Sequence, residues 1–201
     1  MFLLRLIIIS LSIPFSYLLS DIKVADIFTE NMILQRDASL PIWGTGTPNE
    51  KIKVSFNSQT IDSVVSKTGT WQVQLSPMPS DLQPKTLTIQ GKNTITLKNI
   101  LLGEVWICSG QSNMAMGLNS IPELKILYPT CKNGLIRSFI VPTKVSFQPK
   151  NELNSKWSTT PPSSAVAFSF SYHLQKDLNV PVGIIQTAWG SSSIEGWMPI
   201  Q

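Results

Sequence analysis

Ser112 lies in the stretch Gly110-Gln111-Ser112-Asn113, directly after the apolar run Glu104 to Cys108. A serine at such a junction has one reaction open to it. Its hydroxyl attacks a carbonyl carbon while nearby amides hold the oxygen that turns negative. A second small polar stretch, Ala188-Trp189-Gly190-Ser191-Ser192, follows another apolar run, Val180 to Thr187. Glycine admits close backbone approach, so Gly190 can offer a second amide to the same oxygen. The plain alternative is that Ser112 caps the next helix, the usual role of serine at a strand–helix junction. The pattern is not the Gly-x-Ser-x-Gly elbow, because Met114 stands where the second glycine belongs.

Two such loops converge only if their strands lie side by side. EVWIC (104–108), GLIRSFIV (134–141) and VPVGIIQT (180–187) read as buried strands of a parallel sheet covered on both faces. Ser112 to Leu118 opens a helix. Residues 164–178 fit two periods: Phe168, Phe170, Tyr172 and Leu174 alternate, while Ala167, Phe170, Leu174 and Leu178 form a helical stripe. Length decides for a helix. The polar stretch 142–162, with Trp157, reads as a loop. Strand–helix–strand alternation implies an α/β layer, and ligands gather at the carboxyl ends of its strands.

The preceding residues have a different style. From 21 to 100 short β-prone runs recur: 40–44, 51–56, 60–65, 70–75, 85–90 and 93–98. Thr47-Pro48-Asn49, Asn57-Ser58, Thr68-Gly69, Pro77 to Pro79 and Gly91-Lys92 separate them as turns. Val54/Phe56 and Val73/Leu75 alternate with polar neighbours, as half-buried strands do. This spacing predicts a small antiparallel sandwich or barrel.

With 201 residues the chain holds one large domain or two small ones. Its hydrophobic content of 42% and charged content of 14% belong to a folded protein. A net charge of +4 without a Lys/Arg cluster argues against nucleic acid as a partner. Residues 1–20 carry Arg5 and then an apolar stretch broken by Pro14, too short for a stable membrane span. They read as a signal peptide cleaved after Ser20, with an uncleaved anchor as the alternative. A leader implies a secreted, lysosomal or periplasmic protein. There Cys108 and Cys131 are free to pair, although Cys108 sits among apolar residues as a small hydrophobe. No Cys/His metal spacing and no N-glycosylation sequon occur.

GEVWICSGQSNM (103–114) closely resembles the nucleophile block of the sialate O-acetylesterase family, in the SGNH hydrolase superfamily. The likeness extends to ENMILQRDASLPIWGTGTPNEKIKVSF (30–56), GTWQVQLSPMP, LTIQGKNTITLKNILLGEVW and VPVGIIQTAWGSSSIEGWMP (180–199), in the family's order. The resemblance implies an SGNH-hydrolase-like α/β domain of the flavodoxin-like three-layer kind over 101–201. That domain is incomplete, an N-terminal portion only, and follows a small all-β sandwich-like domain at 21–100. It implies a serine esterase removing acetyl groups from sialic acids or related sugars, with no metal or organic cofactor. Ser112 is then the nucleophile, the amides of Ser112 and Gly190 stabilise the oxyanion, and Gln111 and Asn113 shape the pocket wall.

The chain also departs from that family. The activating base comes there from an Asp-x-x-His element, whereas the single histidine here, His173, sits in no such element and reads as a surface residue. An Asn-containing oxyanion loop is not evident either. The expectation is a chain inactive alone for want of a C-terminal segment; the alternative is a non-catalytic secreted carbohydrate-binding or interaction module. Smaller departures are Ala115 in place of an acidic residue, Gly117 in place of proline, and Gly190-Ser191 in place of a glycine pair. Trp43, Trp71, Trp106 and Trp157 read as core. Trp189 and Trp197 flank the expected cleft as candidate sugar platforms. Glu195 reads as a charge at the start of a helix or as a pocket acid.

Overall fold

The computed structural model describes residues 21–131, 133–148, 150 and 152–198; the leader expected over 1–20 lies outside them. Eight strands come first: β1 (Lys23–Val24), β2 (Ile33–Gln35), β3 (Leu40–Thr45), β4 (Lys51–Phe56), β5 (Gln59–Val64), β6 (Thr70–Leu75), β7 (Asp81–Gln90) and β8 (Thr94–Gly110). Alternation explains most of them. In β4, Ile52, Val54 and Phe56 are buried and the residues between them are not. Asn57 and Ser58 both take positive φ, 44° and 67°, the tight-turn geometry that joins β4 to β5 in a hairpin.

After β8 the chain forms α1 (Ser112–Ala115), α2 (Pro122–Leu127), β9 (Ile136–Ile140), β10 (Trp157–Ser158), α3 (Ala165–Leu178) and β11 (Val182–Ala188). Short 3₁₀ turns cover Leu118–Ser120, Tyr128–Cys131 and Ile194–Trp197. β1, β3 and β6 make one antiparallel sheet. The second sheet runs β10-β9-β11-β8-β7-β4-β5, with β2 also on β8. Ile42, Trp71 and Leu75 of the first sheet share a single core with Val54, Phe56, Leu87 and Ile89 of the second. Phe139 and Trp157 belong to that core too, so it continues into the α/β part.

The runs 93–98 and 104–108, expected as separate strands, are one strand of 17 residues, β8. It passes straight through residue 100, so no linker separates the two styles of structure. Asn99, with φ 57°, and Gly103 suggest breaks that do not occur. Gly103 is required for contact instead: a Cβ there would lie 2.0 Å from the Pro181 carbonyl oxygen. The expectation that 104–108 is covered on both faces fails. Trp106 is 45% and Ile107 68% exposed, because α3 lies on one face only and β11 pairs with this stretch on one side only. The helix expected over 112–118 stops at Ala115, where Met116 turns extended.

α3 is the helix that length favoured. Ser164 caps it, its hydroxyl accepting the Ala167 amide at 3.1 Å, and Asn179 ends it in the left-handed conformation. Ala167 packs with Cys108, Val182 and Ile184, while Phe168 packs with Cys131 and Ile136. The two cysteines thus lie in different clusters, and both are free. Trp71 and Trp157 are core, as expected. Trp106 and Trp43 are not: Trp106 is exposed beside α3, and alternation along β3 buries Ile42 and turns Trp43 outward, edge-on to Phe28 at 4.6 Å. No helix among the described residues is long and apolar enough to cross a membrane.

Candidate active site

β11 runs parallel to β8, with Ala188 opposite Gly110. The loops that follow therefore leave the sheet side by side at its carboxyl edge. Gly110 takes φ +143°, a conformation open essentially to glycine alone, and this bends the chain out of β8. The Trp189 amide donates to the Gly110 carbonyl at 3.0 Å and ties the two loops at their base.

One step further, Gly190 stands over Ser112. A Cβ placed on Gly190 would lie 3.8 Å from Ser112 Cα and 4.0 Å from Ser112 Cβ. Ser112 is the first residue of α1 rather than its cap, and Gln111 occupies the capping position without a side-chain bond. Ser112 is exposed. Neither the Ser112 nor the Gly190 amide is taken by a backbone hydrogen bond among the described residues. A hydroxyl with two unspent amides at one strand-end crevice can bind a developing oxyanion.

Gln111 does not face an open pocket. Its Nε2 donates to the Ser192 carbonyl and so bridges the two loops. Ser192 Oγ donates to the Trp189 carbonyl at 2.7 Å and accepts from Trp197 Nε1 at 2.8 Å. Asn113 is exposed on α1. On the other side, Ser164 Oγ donates to Met114 Sδ at 3.7 Å, so the cap of α3 also braces α1. Sequence reasoning singled out neither Ser192 nor Ser164 as a brace. Nothing distinguishes Ser192 within its run of serines, and a cap carries no mark of what else it touches.

No histidine or carboxylate is hydrogen-bonded to Ser112 among the described residues. His173 is exposed and edge-on to Tyr172 at 5.2 Å. It lies nine residues beyond Ser164, about 13 Å along α3, on a helix that runs away from the carboxyl edge. Glu195 sits in the first turn of the 3₁₀ segment after the Gly190 loop. Its own amide and Ser193 hold its carboxyl below the usual glutamate range, as expected for an N-terminal charge. Burial raises the Cys108 thiol, which leaves it inert beneath the site. The described residues contain no cluster of His, Cys, Asp and Glu able to hold a metal.

Residues 102–201 match the family model described as carbohydrate esterase, sialic acid-specific acetylesterase. Human sialate O-acetylesterase is 29% identical over 200 residues, covering 87% of this chain and 38% of the human protein. The mouse sialate O-acetylesterase is also 29% identical, over 87% of this chain and 37% of its own length. Among solved structures, a carbohydrate acetylesterase from Xanthomonas citri aligns with a TM-score of 0.82 and 31% identity, over 88% of this chain and 42% of that one. The chain thus spans well under half the length of the relatives it matches. The matched region opens within the strand that delivers Ser112: residues 102–201 belong to the sialic acid-specific acetylesterase family of carbohydrate esterases, and the chain as a whole is similar to a portion of the sialate O-acetylesterases.

Proposed function

We propose that this chain carries the nucleophile half of a carbohydrate O-acetylesterase acting on O-acetylated sialic acids or related sugars. Ser112 Oγ attacks the acetyl carbonyl, the sugar oxygen leaves, and water hydrolyses the acetyl-enzyme. The amides of Ser112 and Gly190 hold the oxyanion, Asn113 lines the approach, and Gln111 shapes the wall through its bond to the Ser192 carbonyl. The observation that carries this reading is the approach of Gly190 to within contact distance of Ser112. The serine proton needs an acceptor, and no histidine or carboxylate is hydrogen-bonded to Ser112 among the described residues, so these residues alone are expected to turn over no ester. The expected leader at 1–20 directs it out of the cytoplasm, and the all-strand residues 21–100 serve as a scaffold domain.

The test joins a segment bearing Asp and His to the C-terminus and follows a chromogenic acetyl ester. Turnover that appears with the segment and falls at least about 10³-fold in Ser112→Ala supports the reading. Equal turnover in Ser112→Ala sinks it. The missing base and the exposed Trp189 and Trp197 favour a second reading, sugar binding without chemistry. Glycan-array binding by the unmodified chain that is unchanged in Ser112→Ala distinguishes that case.

A further inference from the structure

The outer face of the second sheet carries a groove of about 650 Å³, a size usual for small-ligand sites. Lys51 and Lys53 of β4, Asp62 and Val64 of β5, and Gln90 and Gly91 at the end of β7 line it. Register explains the grouping. Lys53 lies between Asp62 on β5 and Gln90 on β7, and Lys51 lies opposite Val64. Residues two apart on a strand share a face, so Ile52 and Val54 enter the core while both lysines turn outward. Gln90 pairs with Thr94, which puts the groove at the start of β8, whereas Ser112 follows its far end at Gly110. Those ends are as much as about 50 Å apart along the strand. The groove is therefore separate from the Ser112 crevice and from Trp189 and Trp197.

Its charged groups are not spent on the fold. Lys51, Lys53 and Asp62 make no ion pair and no side-chain hydrogen bond among the described residues, although Lys53 and Asp62 lie directly opposite each other. Nor do the lysines guard a sheet edge, because β4 has β7 on one side and β5 on the other. Val64, 54% exposed, adds an apolar surface beside Lys51. The rim is fixed in advance of any ligand. Buried Glu50 accepts the Lys92 amide at 2.7 Å, and the Asn93 side chain bonds both the amide and the carbonyl of Ile22. Lysine ammoniums bind a carboxylate, while Asp62 and Gln90 accept from and donate to hydroxyls. Val64 takes an apolar group. A sialic acid offers all three: a carboxylate, several hydroxyls and an N-acetyl methyl. A neutral sugar leaves both lysines unmatched, and a purely anionic surface sets like charge against Asp62.

We infer that this groove is a non-catalytic binding site for a terminal sialic acid, with Lys51 and Lys53 on its carboxylate. A glycoconjugate bearing several sialic acids, held there by one of them, presents the others to Ser112 at raised local concentration. The choice of sialic acid and this last step rest on the proposed function. The match of two lysines, a carboxylate and an apolar side chain to an acidic sugar does not.

The test titrates the full, isotope-labelled chain with sialyllactose, lactose and trigalacturonate and follows the amide resonances. Sialyllactose shifts Lys51, Lys53, Asp62 and Val64 saturably, and its affinity falls as salt is raised. Lactose leaves these resonances in place, and trigalacturonate binds at least tenfold more weakly. Changing Lys51→Gln and Lys53→Gln together weakens sialyllactose at least tenfold, with the rest of the amide spectrum reporting an intact fold. Val64→Asp, which sets a like charge against the carboxylate, does the same, whereas Trp189→Ala leaves the groove shifts as they were. Equal binding of lactose or trigalacturonate, or sialyllactose affinity unchanged in the lysine variant, overturns the proposal. Capture by phosphatidylserine vesicles without sialyllactose binding also overturns it and identifies a membrane surface as the partner. Groove shifts without ester turnover, once the Asp- and His-bearing segment is joined, remove the Ser112 reading and leave this site standing. Turnover without groove shifts does the reverse.

Discussion

Gly110 and Asp81 show how much single residues control here. Gly110 sits at φ +143°, yet a Cβ there would meet Met114 Cβ only at 3.5 Å, an ordinary contact. Gly110→Ala therefore suffers from backbone strain rather than collision, at a cost of about 1–3 kcal/mol. The urea midpoint falls accordingly, and hydrogen exchange at Trp189, whose amide binds the Gly110 carbonyl, accelerates first. Asp81 illustrates a pH effect. Its carboxylate meets Lys85 Nζ at 2.7 Å and accepts the Gln83 amide at 2.8 Å, and these contacts, Lys85 foremost, hold it below the usual aspartate range. A carboxylate lowered in the folded state adds stability above the unfolded value, about 3.9, and loses it as pH falls through the lower folded value. In thermal melts between pH 2 and 6, Asp81→Asn therefore differs most from the parent above about pH 4, and the difference shrinks below it.

Among the elements, α3 bears on both packing and the site. Ser164→Ala removes the cap bond and the brace on Met114 together. The cap alone costs about 1 kcal/mol, read as a lower urea midpoint. Exchange at Ala115, whose amide bonds to Gln111, increases as well because α1 loses its support. The elements also show what the sequence could reveal. β4 and β6 fall where alternation and turn residues put them, at 51–56 and 70–75. The short β1, β2 and β10 were not legible, since two or three residues show no period. β7 begins earlier than its apolar part, because Pro84 lies where the register shifts between Asp81 and Lys85. The unity of β8 was hidden by Asn99 and Gly103, residues that usually end strands. The pairing of the Ser112 and Gly190 loops was legible because each follows an apolar run in β8 or β11. The Gln111–Ser192 bridge was not, because it depends on rotamers.

Across the whole molecule, the two styles of structure are held together at a buried cation. Arg137 of β9 is 3% exposed and has no carboxylate partner among the described residues. Its guanidinium donates to the carbonyls of Asn31, Asn99 and Gly134 and to Asn99 Oδ1. Burial lowers its pKa to about 10, so it remains charged at neutral pH. Asn31 and Asn99 both take positive φ and bond to each other at 2.7 Å, presenting their carbonyls to that one group. Arg137→Ala leaves these acceptors buried and unpaired and costs on the order of 3 kcal/mol. Arg137→Lys recovers only part of the loss, because an ammonium cannot span the same fork of acceptors. Chemical denaturation followed by tryptophan fluorescence measures both, with Trp157 reporting from the shared core.

The 17-residue length of β8 also sets where the gene tolerates insertions. One extra codon between positions 94 and 103 would advance everything after it by about 3.3 Å and exchange the two faces. Cys108 would leave its cluster with Ala167 and Ile184, Ile107 would turn toward α3, and Ser112 would slide out from under Gly190. Length variation among descendants of this sequence belongs in the loop over 142–148, while the spacing from Thr94 to Ser112 stays fixed.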